Sequence, residues 1–154
     1  MTLTPTLRWN PVAGATSYQV EVSGYRLNWK TEVQQSQVVY SGEQPLKPGF
    51  RYWVKITANN GKSNADEEGR FRGFTVLSNA DRQELNTDIA TLQQLNDDAK
   101  TIALAHLYRS NNLNANAIDL LEGVVKEGSE TVAVFQLLGN IYQRVGLNLF
   151  AKER

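Results

Sequence analysis

The stretch "TIALAHLYRSNNLNANA" (residues 101–117) returns 34 positions later as "FQLLGNIYQRVGLNLFA" (residues 135–151). Leu104 matches Leu138, Leu107 matches Ile141, Tyr108 matches Tyr142, Leu113 matches Leu147, Asn114 matches Asn148 and Ala117 matches Ala151. A period this regular marks a repeat architecture, in which each unit buries its apolar face only against the next.

Outward from the echo, the pattern stays helical. Asn96 or Asp97 caps a helix running to Ser110, with Asn111 and Asn112 as the turn. A second helix starts at an Asn114 cap and ends at Gly128, and Ser129 caps a third, stopped by Gly146. Asn148 repeats the capping role before a last helix that begins at Leu149. The third helix is expected to turn Phe135, Leu138, Gly139 and Tyr142 to the core. Ala105, Ala117, Gly139 and Ala151 are the small residues expected where antiparallel helices approach closely. Upstream, Leu85, Ile89 and Leu92 fall at i, i+4 and i+7 of a leading helix capped by Ser78 or Asp81.

Before residue 78 the period is two. Leu7 and Trp9, then Tyr18, Val20 and Val22, then Tyr52, Val54, Ile56 and Ala58 alternate with polar residues, and Gly and Pro punctuate the gaps. Five or six short strands, the last near residues 70–77 with Phe71, Phe74 and Val76 inward, argue an antiparallel sandwich. The fold class expected is β then α, in two domains, residues 1–77 and 78–154.

Two resemblances sharpen this expectation. "LRWNPVAGATSYQVEV" (residues 7–22) with "LKPGFRYWVKITANNGKS" (residues 46–63) resembles the fibronectin type III domain. The resemblance implies an immunoglobulin-like sandwich with Trp9 in its core, a tyrosine corner made by Leu46, Pro48 and Tyr52, and a first strand that is short or missing. Residues 97–154 resemble the tetratricopeptide repeat, with Leu138, Gly139, Tyr142, Gly146 and Ala151 in one unit. The other unit is weaker: Ala105 stands where the family has Gly, and Asn112 replaces the turn Gly. That implies helical hairpins, one full unit and a truncated second, whose first helices line a groove for a peptide or partner helix. The expectation is a fragment of a longer chain continuing past Arg154, or a homodimer closing the open helical end beside Phe135, Tyr142 and Ala151.

Composition limits the function. The chain has 154 residues and no cysteine, which removes disulfides, thiol nucleophiles and cysteine metal sites. Net charge is zero: residues 1–77 carry 9 Lys and Arg against 6 Asp and Glu, residues 78–154 carry 7 against 10. Neither half is the basic footprint of a nucleic-acid binder. No apolar run is long enough to span a bilayer. A single His, His106, in mid-helix gives catalysis little footing, and no cofactor motif is present. The acidic "DEEG" (residues 66–69) reads as a solvated loop rather than a calcium site.

The expected activity is noncatalytic: a protein-interaction or scaffold module, of a bacterial envelope or periplasmic protein or a cytoplasmic one. The candidate partner-binding residues are His106 and Arg109 on the first repeat helix and Gln136, Asn140, Gln143 and Arg144 along the third helix. Arg suits a carboxylate, and Asn and Gln suit main-chain amides. The alternative is a carbohydrate-binding accessory module using a platform of Tyr25 and Trp29.

Overall fold

The structure is a computed structural model and describes residues 4–64, 73–129 and 131–147. Among the described residues, antiparallel β-sheets occupy the N-terminal part and four α-helices the C-terminal part. The chain divides into two compact units, residues 1–82 and 83–154.

The β unit holds β1 (Thr6–Arg8), β2 (Tyr18–Gly24), β3 (Leu27–Val33), β4 (Gln37–Val39), β5 (Arg51–Ala58) and β6 (Gly73–Thr75). β1 pairs with β4, and the other four form a sheet in the order β3-β2-β5-β6, every pair antiparallel. Tyr18, Val20 and Val22 of β2 are buried, as are Tyr52 and Ala58 of β5, so the period-two sets do mark the inward face. Leu7 and Val38 of the small sheet pack into the same apolar clusters as Val20 and Val54 of the large one. Trp9, 5% exposed, meets Tyr18 edge-on with ring centroids 5.3 Å apart. Phe71 and residues 66–69 lie outside the described residues.

Register is fixed on both faces of the large sheet. Glu21 stands opposite Lys30 of β3 and Lys55 of β5, forming a three-strand charge ladder on the outer face. Lys30 hydrogen-bonds the Glu21 carboxylate and holds its pKa below the ordinary value, with Lys55 adding a weaker pull. A slip of one residue would break the ladder and turn the apolar set to water. β2 and β3 are joined by the two-residue turn Tyr25-Arg26, with Arg26 at φ 52°, a left-handed conformation that glycine adopts without strain.

Tyr40 is 2% exposed and donates a 2.5 Å hydrogen bond to the Gln44 carbonyl. Burial, with Tyr52 nearby, raises its pKa above 10.0, and burial also raises that of Tyr108. The folded state therefore prefers the neutral phenols. Their stabilisation is complete below the ordinary tyrosine pKa and is lost as pH rises through the raised values. We expect alkaline unfolding to begin above about pH 10 and to be blunted in the β unit by Tyr40→Phe, read by denaturant melts across an alkaline series. A Tyr40→Phe melt that declines with pH as steeply as the parent would refute this assignment.

The helices are α1 (Asn79–Ala90), α2 (Asp97–Ser110), α3 (Asn114–Lys126) and α4 (Val132–Arg144), with a 3-10 turn at Thr91–Gln94. Ser78 caps α1, its hydroxyl accepting from the Asp81 N–H and donating to the Asp81 carboxylate. Asn96 caps α2 by accepting from the Ala99 N–H. The 34-residue echo is visible in the backbone. Leu113 N–H donates to the Tyr108 carbonyl across left-handed Asn112, and Leu147 N–H donates to the Tyr142 carbonyl across left-handed Gly146. These are matching Schellman ends, and Asn, the residue other than Gly that best tolerates the left-handed region, serves in the first. Gly128, at φ 97°, ends α3 in the same way.

Several expectations change in the helical unit. Asn114 does not cap α3 but is its first residue, with Leu113 before it, because the Schellman turn at Asn112 already sets the chain's entry. Ser129 does not cap α4. Its N–H closes the α3 terminus on Val124, leaving its hydroxyl 3.3 Å from that of Thr131. The core face of α4 is Val134, Leu137, Leu138, Ile141 and Tyr142, rotated from the expected one, so Phe135 sits half-buried at its flank. Tyr142 is fully buried inside this unit rather than on an open end. Ala105 and Ala117 are buried, but a methyl added at Gly139 would meet no heavy atom within 4 Å. Asn148, Leu149 and Ala151 lie outside the described residues.

Candidate functional site

A groove of about 950 Å³ opens between the first turns of α2, the end of α3 and the start of α4. Asp98, Ile102 and His106 stand one helical turn apart along its α2 wall, and Val124, Thr131 and Val134 line the opposite side. The local sequence explains the position. Asn96 fixes the first turn of α2, where Asp97 and Asp98 sit favourably at the positive end of the helix dipole. The Gly128 terminator then turns the chain so that Ser129 and Thr131 close the rim.

The groove is apolar at its floor and acidic at its edge. Asp97, Asp98 and Glu127 line it against one lysine, Lys100, whose ammonium donates to the Gln93 side-chain oxygen at 2.8 Å. The His106 ring makes no hydrogen bond among the described residues; only its backbone carbonyl accepts, from the Ser110 hydroxyl. Such a surface suits an apolar segment bearing donors or positive charge.

The six candidate residues divide. His106 is exposed and lines the groove. Arg109 is half-buried near the end of α2, while Gln136, Asn140, Gln143 and Arg144 form an exposed stripe along α4. Arg144 reaches back to Asn112, its guanidinium 3.4 Å from the side-chain oxygen. The stripe lies outside the groove lining. Sequence reasoning missed Asp98 and Thr131 as groove residues, because an acidic pair at a helix start is fully accounted for by the dipole and gives no sign of facing a cavity.

The aromatic platform is not formed. Trp29 faces inward opposite Val22 and meets Tyr40 edge-on at 5.0 Å, whereas Tyr25 packs tilted against Phe50. A smaller cavity of about 300 Å³ lies at Trp9, Val12, Tyr18 and Ile56. No group of three or more His, Asp or Glu among the described residues is placed to hold a metal. No described helix is long and apolar enough to cross a membrane. No family model matches the chain, and no curated protein matches it.

Proposed function

We propose that this chain is a noncatalytic protein-interaction module in which a fibronectin-III-like sandwich accompanies a tetratricopeptide-like helical array, and that the array binds a peptide or protein segment. The observation that carries the reading is the groove itself, an apolar floor with an acidic rim built by three successive helices. Matching helix ends at Asn112 and Gly146, 34 residues apart, support the repeat reading. The tie from the Lys47 N–H to the Tyr52 hydroxyl, 2.9 Å long, supports the tyrosine-corner reading.

The test is a pull-down with the whole chain as bait. An Asp98→Ala, His106→Ala variant alters the groove, and an Arg109→Ala, Arg144→Ala variant alters the adjoining residues. The groove variant is expected to lose at least one partner retained by the parent. An unchanged partner set for both variants would overturn the reading.

A further inference from the structure

The β unit carries a second surface that the helical groove does not use. Tyr25 and Phe50 are 41% and 39% exposed, and their ring centroids lie 4.4 Å apart at 34°. The Lys47 ammonium stands 4.8 Å, and the Arg26 guanidinium carbon 5.6 Å, from the centre of the Tyr25 ring. Arg51, next in the chain, lies instead over the Trp53 ring, its guanidinium carbon 4.6 Å from the ring centre. Among the described residues no carboxylate pairs with Arg26, Lys47 or Arg51. The turn also keeps an arginine at φ 52°, where glycine would sit unstrained, so a cation is held at the hairpin tip against the local backbone preference.

We propose that this surface docks the protein onto an anionic phospholipid bilayer. Tyr25 and Phe50 would sit at headgroup level, with Arg26 and Lys47 on the lipid phosphates and carboxylates. Aromatic side chains and long cationic ones share that interfacial zone because each has an apolar body and tolerates water at one end. An anionic leaflet attracts such cations without any membrane-spanning segment. A nucleic-acid base or a sugar would need an open aromatic face for stacking, but the Tyr25 ring is already met by Phe50 and two cations. Lipid phosphate requires no such face.

The experiment is co-sedimentation of the whole chain with phosphatidylcholine vesicles, with and without phosphatidylserine, at low and high salt. Binding is expected only with phosphatidylserine and is expected to weaken as salt screens the charges. Arg26→Gly and Lys47→Gln are each expected to lower the partition coefficient about fivefold. Arg26→Gly also relieves the turn, so its circular dichroism and melting temperature should be no worse than the parent's, and a loss of binding cannot be assigned to misfolding. Absence of binding to phosphatidylserine vesicles, or equal binding by the Arg26→Gly, Lys47→Gln double variant, would overturn the proposal. So would tighter binding to polyuridylate or heparin than to the vesicles, which would make a soluble polyanion the occupant.

Discussion

Tyr52→Ala is expected to lower the stability of the β unit by about 3–5 kcal/mol, the cost of removing a buried aromatic ring. Tyr52→Phe is expected to cost only about 0.5–1.5 kcal/mol. The ring is 1% exposed, stacks on Phe74 with centroids 5.7 Å apart, and presses on Gly24 so closely that a methyl there would lie 2.5 Å from its Cδ1. Its hydroxyl accepts from the N–H of Lys47 at a part-buried position rather than a fully buried one. All three tryptophans, Trp9, Trp29 and Trp53, belong to the β unit, so their fluorescence during denaturant unfolding reads this unit alone. Equal costs for the two variants would show that the hydroxyl tie, and not the ring, carries the stability.

The same pair of substitutions at Tyr142 is expected to behave differently. Tyr142→Ala should again cost about 3–5 kcal/mol, because the ring is fully buried between α3 and α4. Tyr142→Phe should cost about 1–3 kcal/mol, more than Tyr52→Phe. The Tyr142 hydroxyl donates to the carboxylate of Glu122, which is 8% exposed, and the phenylalanine leaves that buried group without this donor. Adding Glu122→Leu to Tyr142→Phe should recover part of the loss, since truncating one member of a buried polar pair costs more than replacing both members by apolar side chains. Helical circular dichroism during denaturant unfolding provides the reading. A Tyr142→Phe cost no greater than that of Tyr52→Phe would mean that water reaches the carboxylate.

Local chemistry was legible in the sequence and long-range pairing was not. Alternation picked out the inward faces of β2 and β5, because a side-chain period of two depends only on the pleat. Asn96 as a cap, and Gly128 and Gly146 as terminators, follow from which residues accept a backbone bond or tolerate a positive φ. The Glu122–Tyr142 tie was hidden, because a lone carboxylate in a helix reads as surface charge and its partner lies 20 residues away. Trp29 misled for a related reason. Its neighbours Asn28 and Lys30 give β3 a polar look, and only pairing with β2 shows that Trp29 faces the core. For the candidate site, the stripe on α4 is exposed but lies outside the groove lining, and the groove depends on how three helix ends converge, which no single helix pattern encodes.

β3 has consequences beyond packing. It is seven residues long and has no strand beyond it among the described residues, so its outer edge offers unpaired main-chain groups to any extended segment nearby. Asn28, Lys30 and Glu32 all project from it into solvent. Amyloid-like stacking would set identical copies of Lys30 and of Glu32 one above another, where like charges repel. Lys30, which fixes register within one molecule through Glu21, thus also guards together with Glu32 against fibril growth between molecules.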